Sequence, residues 1–276
     1  MEGLLNSAAP LMLASLGALL SDLSGALGIF IEGFMITGAF FSWIFTLWTG
    51  SVFFGTSLSA ILVGLAGWAL ARFVRVSGAN PFIAGLALNL AAVGVTSSLS
   101  AAWFGTKGVL YDPSIRIPGQ SPFTYAAWIS ALLVAIGLYK TIPGFRLRAS
   151  GSSPDAATER GVHPGLYREG AWALAAFLAA LAGAALTFRV GSYAPGGIAG
   201  RGWIALAAVY LGFRKPWGVV AAAILFSFAE RFGYRLQGFS ALPATALLGL
   251  PSALALVFYF LFRLIRFKAG EDPAGE

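Results

Sequence analysis

The chain is a succession of long apolar runs separated by short polar ones. Runs of about 20 apolar residues suffice for a helix to cross the hydrocarbon core of a membrane. Such runs lie at roughly 4–20, 26–48, 51–71, 82–104, 123–142, 170–190 and 241–265. Two shorter runs, roughly 202–213 and 216–232, are separated by Arg214-Lys215-Pro216. Period-two alternation is missing, which excludes a β-barrel, and the helix is the remaining structure that satisfies its own backbone in lipid. The pattern predicts an all-α, polytopic integral membrane protein with about nine membrane segments, some of them broken. It forms a single transmembrane domain over residues 1–276.

Composition supports this reading. Of the residues, 58% are hydrophobic and only 11% charged, whereas a soluble domain carries about a quarter charged residues. An aromatic share of 14% excludes a disordered chain. Cysteine is absent, which excludes disulfides and thiolate chemistry. The single histidine, His163, stands in a Pro-Gly loop and leaves no basis for a metal site. The opening MEGLLNSAAP lacks a positive region, so no cleavable signal peptide is expected.

The net charge of +7 does not point to nucleic acid, because the basic residues sit at the ends of apolar runs. Lys and Arg concentrate on the cytoplasmic side of membrane proteins. With the 143–168 loop inside, alternation of the spans places twelve basic residues on that side and six on the other. The orientation is therefore loop-inside, with the C-terminal tail cytoplasmic. The N-terminus is external if all nine segments cross.

Two stretches interrupt the helical pattern. Ser21-Asp22-Leu23-Ser24-Gly25 breaks the first apolar region, with Glu32-Gly33 beyond it, and residues 192–202 read SYAPGGIAGRG. Broken backbone at membrane depth is tolerated where it is buried in protein or lines a cavity, and paired breaks in two halves of a chain point to a transport path. Glu32-Gly33-Phe34-Met35-Ile36 also lies over Arg201-Gly202-Trp203-Ile204-Ala205 as charge, glycine, aromatic and apolar helix. This places Glu32 and Arg201 at the starts of two half-helices, where an ion pair between them would form part of a gate. The competing role for Glu32 is a plain helix cap; Arg201 could also reach external water. Phe34 and Asn89 are candidates for the path, and helix–helix hydrogen bonding is the alternative for Asn89. Trp43, Trp48, Trp103 and Trp128 fall near span ends, as an aromatic belt requires.

The 143–168 loop holds one further element. Ser153-Pro154-Asp155 is a helix start, with Ser as cap, Pro in the first turn and Asp at the positive end. Ala156 and Ala157 propagate it, and Gly161 stops it. The result is a helix of about two turns outside the membrane. It is either a solvated connector or a docking helix flanked by Arg146, Arg148 and Arg160.

Four segments carry a resemblance: SGALGIFIEGFMITGAF (24–40), NPFIAGLALNLAAVGVTS (80–97), GFRLRASGSSPDAATERGV (144–162) and GRGWIALAAVYLG (200–212). Over nearly its whole length the chain resembles the membrane permease of bacterial ABC importers, in the branch serving branched-chain amino acids, simple sugars, nucleosides and riboflavin. GLALNL and GRGWIALAA look most like the nucleoside-type permeases. The chain departs from the family at Gly28-Ile29-Phe30, where an Asn commonly precedes the Ile.

The resemblance implies alternating-access import of a small polar solute, first a nucleoside, then riboflavin or a simple sugar. It implies a multi-pass subunit of the bacterial inner membrane, a second permease (identical or homologous), a cytoplasmic ATPase and an extracytoplasmic binding protein. Residues 144–162 are similar to the family's coupling helix, so Arg148, Pro154, Asp155, Ala156, Ala157 and Gly161 are expected at the ATPase. No GxxxxGK[ST] phosphate loop occurs, so ATP and Mg²⁺ are expected on the partner and no cofactor on this chain. No credible catalytic set is present, so no enzymatic activity is expected. An ion-coupled secondary transporter is the other class, but it requires a chain of intramembrane acids, and only Asp22, Glu32 and Glu230 are candidates.

Overall fold

The computed structural model describes residues 2–117, 122–198 and 200–237. The expected span at 241–265 lies outside the described residues. Ten α-helices follow in order: α1 Glu2–Leu23, α2 Ile31–Thr49, α3 Val52–Ser77, α4 Pro81–Phe104, α5 Pro122–Lys140, α6 Ile142–Ser152, α7 Pro154–Glu159, α8 Pro164–Val190, α9 Arg201–Leu211 and α10 Pro216–Gln237. Two-residue strands β1 (Leu110–Tyr111) and β2 (Ser192–Tyr193) pair antiparallel, Leu110 opposite Tyr193. Among the described residues six helices, α1 to α5 and α8, are long and apolar enough to span a membrane. The count of nine is not reached there. α9 is only 11 residues long, and α10 carries Glu230 and Arg231 within its apolar run.

α8 is the hub, packing most extensively against α3, α2 and α1. Lipid tails are as apolar as Leu, so helices associate in a membrane by close packing rather than by hydrophobic transfer, and small residues permit it. The contacts follow that rule. Gly38 of α2 lies on Ala180, Gly183 faces the Met35 carbonyl, and Gly67 of α3 lies on the Trp172 carbonyl. Trp172 is fully buried against Phe30, with ring centroids 4.4 Å apart. Trp43 is buried as well and is not part of a belt, because α2 continues nearly two turns beyond it. Trp48, Trp103 and Trp128 remain exposed.

The 143–168 stretch departs from expectation. It begins with a helix that the sequence reading does not contain, α6, which includes Pro143, Gly144 and Gly151. Those residues serve close packing. Thr141 Oγ1 accepts from the Gly144 amide, Gly144 lies against the Gly137 carbonyl of α5, and Gly151 lies against the Leu23 carbonyl of α1. The expected short helix follows as α7. Ser153 does not cap it with its hydroxyl. Ser153 also ends α6, where its amide donates to Ala149 O at 3.0 Å, so it is the hinge between two helices. Gly161 closes α7 at φ +74°, with the Val162 amide donating to Ala157 O. On this α7 face, Glu169 of α8 is 4% exposed and joins the end of α3 through Arg75 at 2.6 Å and Arg72 at 3.8 Å.

Replacing Gly38 by Leu should abolish folded, monodisperse protein on size-exclusion chromatography in detergent, because Ala180 leaves no room. Gly94 on α4 has no heavy atom within 4 Å of an added Cβ. Gly94→Leu should leave the elution profile unchanged.

Candidate translocation site

Two broken segments meet inside the bundle. α1 reaches the α7 face at Leu23, and residues 24–30 turn back to start α2 beside Trp172. Trp172 stands eight residues into α8, about 12 Å from its start. From the opposite face, Tyr193 lies level with Phe40 of α2, ring centroids 5.2 Å apart. The chain then descends to Gly200, whose amide donates to Glu32 Oε1 at 3.0 Å. Phe40 to Glu32 is eight helical residues, again about 12 Å. Residues 194–198 therefore re-enter from the face opposite α7, Gly200 stands at the inner end, and α9 completes the crossing to the α7 face.

Both half-helix starts carry free amides that need partners. Neither has a side-chain cap of its own: Phe30 precedes α2, and Gly200, at φ +79°, precedes α9. The caps come from neighbouring helices. Asn89 of α4 accepts from the Gly33 amide at 2.7 Å and donates to Ile29 O at 2.7 Å. Glu32 of α2 caps α9 through Gly200. The carboxyl group there stands at the N-terminal ends of two helices at once. Gly202 makes the junction possible, since a Cβ at that position would stand 2.5 Å from Glu32 Cβ. Glu32 Oε2 is buried and has no hydrogen-bond partner among the described residues.

The anticipated pairing of Arg201 with Glu32 is not what the structure shows. Arg201 Nη2 bonds Glu230 Oε1 of α10 at 2.6 Å, and Nη1 donates to Gly197 O and Ile198 O at 3.3 and 3.4 Å. A cation at a helix N-terminus is unfavourable, and Glu230 with the two loop carbonyls offsets that. Of the four path residues named from sequence, Glu32, Asn89 and Arg201 come together at the α2–α9 junction. Phe34 is buried among core side chains, edge-on to Phe30 at 5.4 Å.

Arg201 and Glu230 line a cavity of about 860 Å³ that opens on the face opposite α7. Its walls include Ser7, Tyr193, Ser227 and the basic residues Arg116, Arg189 and Arg231. Near its rim, outside the spans, Asp112 accepts from the Ser114 hydroxyl at 2.6 Å and the Ser114 amide at 2.9 Å, which holds its carboxyl below the usual range.

The far end of α9 is tied as firmly. Asp22, at the end of α1, accepts from Tyr210 at 3.0 Å and from Arg214 Nε at 2.6 Å. Phe213 and Arg214 turn the chain with φ of +56° and +55°, a conformation costing roughly 1–2 kcal/mol per non-glycine residue. These partnerships, like Glu169 with Arg75, join residues 94 to 192 positions apart, and no local spacing announces them.

On the α7 face, Ala157 is buried and anchors the short helix, whereas Pro154, Asp155 and Ala156 are exposed. The Arg148 guanidinium lies 4.7 Å over the Tyr139 ring.

A family profile described as branched-chain amino acid transport system / permease component matches residues 1–265. The chain belongs to this family. It is an ABC-transporter permease, a multi-pass transport subunit rather than an enzyme, and the ion-gradient reading is set aside. Among curated proteins it is 30% identical to the guanosine ABC transporter permease NupQ of Bacillus subtilis, over 91% of this chain and 87% of that protein. It is 28% identical to the nucleoside ABC transporter permease NupC of Lactococcus lactis, over 92% and 88%. It is also 30% identical to a putative glucose ABC transporter permease, TsgC13, of Haloferax volcanii, over 86% and 79%. No solved structure matches at comparable stringency.

Asn89→Ala leaves a buried donor and a buried acceptor unsatisfied, a loss of about 1–3 kcal/mol for each group. The apparent Tm of the purified permease in detergent should fall clearly. Asn89→Asp, which keeps the acceptor for Gly33, should fall less.

Proposed function

We propose that this permease imports a nucleoside, drawing the solute through the cavity and past the α2–α9 junction by alternating access. The observation that carries the substrate is the similarity, over nine-tenths of the chain, to one permease named for guanosine and another named for nucleosides. The cavity suits a solute of that kind. Pockets for small molecules run to about 300–1,000 Å³, and this one offers both donors and acceptors at its wall. A simple sugar is the second reading, favoured by the similarity to a putative glucose permease.

The cavity faces the cell exterior and α7 the cytoplasm, in keeping with the distribution of Lys and Arg. Glu32 and Arg201 stand at the narrow end of the path, with Asn89 and Phe34 holding the junction behind them. A second permease completes the path, an extracytoplasmic binding protein delivers the solute, and a cytoplasmic ATPase supplies ATP and Mg²⁺. Pro154 to Gly161, with Arg148 beside them, dock on that ATPase. The membrane is the bacterial inner membrane.

Uptake of radiolabelled guanosine or uridine, but not glucose, into cells carrying the complete transporter is the direct test. Glucose uptake with no nucleoside uptake would reverse the two readings. Ala156→Glu alters an exposed position on α7 and should uncouple ATP hydrolysis from uptake or lower ATPase co-purification, while the isolated permease keeps its thermal stability. Arg201→Gln and Glu230→Gln should each reduce uptake. The double variant should be less impaired than the product of the two, with a coupling of about 1 kcal/mol, roughly fivefold. Independent effects would mean that the ion pair has no part in transport.

A further inference from the structure

A second cavity, of about 580 Å³, lies between α5, α6 and α8 on the α7 half of the molecule. It is distinct from the path and almost wholly apolar. Leu133 of α5, Leu147 of α6, and Leu174 and Phe177 of α8 form its walls. α1 also reaches it through Leu20, so three of the four helices that line it are spans, and its wall residues Leu133 and Leu174 are exposed, so it opens toward lipid. Its floor is made by α6, where the chain leaves the membrane. There Ile142 is 69% exposed and Phe145 60% exposed. Both stand beside the cations Lys140 and Arg146.

The rim is basic and lacks acids. Lys140, Arg146 and Arg148 stand within nine residues of one another, and none has a carboxylate within 4.0 Å among the described residues. Arg146 donates at 3.3 Å to the hydroxyl of Tyr167, which lines the groove, and adjoins the lining residue Leu147, as Lys140 adjoins Thr141. Arg148 is fixed over Tyr139. Elsewhere on this face Arg72 and Arg75 meet Glu169 and Arg214 meets Asp22, while Arg168 donates to the Ser24 carbonyl.

We propose that this groove is a binding site for an anionic phospholipid. One acyl chain lies along Leu133, Leu174 and Phe177, and the phosphate is held by Lys140 and Arg146. The occupant is set by the combination of features. An apolar slot open to lipid accepts an acyl chain, and a cation pair without acids at the interfacial end selects a negative headgroup over a zwitterionic one. By tying α5 and α8 to α6, such a lipid would brace the element that carries α7. The site depends on the chain being a membrane permease and not on which solute it carries.

Native mass spectrometry of the detergent-purified full-length permease, titrated with phosphatidylglycerol or phosphatidylcholine, tests this without a transport readout. The wild type should bind one phosphatidylglycerol in preference to phosphatidylcholine. Removing both charges, Lys140→Gln with Arg146→Gln, should weaken phosphatidylglycerol roughly 30-fold, from about 1 kcal/mol per basic residue. Gly170 lines the groove and, among the described residues, has no heavy atom within 4 Å of an added Cβ. Gly170→Leu should therefore fill the slot and remove the bound lipid while Tm holds or rises. Equal binding of the two lipids, or phosphatidylglycerol retained in Gly170→Leu, would overturn the site. A charge variant that keeps its lipid but loses co-purifying ATPase would also overturn it, assigning the cations to that partner.

Discussion

Every backbone amide inside a bilayer must find a partner within the protein, and this structure is organised around the two places where its helices start in mid-membrane. α2 and α9 begin without caps of their own. Asn89 supplies one and Glu32 the other, each from a neighbouring helix. The breaks are thereby made tolerable, and they are also tied to each other, because Glu32 belongs to one half-helix and caps the next. The glycines at 33 and 202 follow from this. At both positions a side chain would occupy the space of the capping residue.

The charges are distributed by the same logic. α9 is held at its inner end by Glu32 and Glu230 and at its outer end by Asp22. Asp22, Glu32 and Glu230 are therefore all engaged with this one short helix and its flanks. That arrangement suits an element that moves between two tethered positions, and it differs from a relay of acids carrying protons. The remaining basic residues of the α7 face surround α6 and α7, outside the hydrocarbon zone, where a partner or a lipid headgroup can meet them.

Much of this was legible in the sequence. Apolar runs gave the helices, because length in lipid is dictated by bilayer thickness. Gly and Pro at 192–202 gave the re-entrant break, and Ser153-Pro154-Asp155 gave α7. The positions of Glu32 and Arg201 at two half-helix starts were also readable, since charge followed by glycine is rare within a span. Their partners were not. Arg201 lies 29 residues from Glu230, and Arg214 lies 192 residues from Asp22, so only tertiary packing brings them together. α6 was missed, and its glycines mark close helix approach, as glycine often does in a membrane bundle.

The central claim is that the segments 24–30 and 194–198 enter the bundle from opposite faces. The chain has no cysteine, so any introduced thiol is unique. Leu27→Cys and Ala194→Cys, treated with a membrane-impermeant maleimide in intact cells and in inverted vesicles, report the face from which each segment is reached. Labelling of Ala194→Cys in intact cells, with Leu27→Cys labelled only in inverted vesicles, is the predicted result. Labelling of both from the same side would contradict the account.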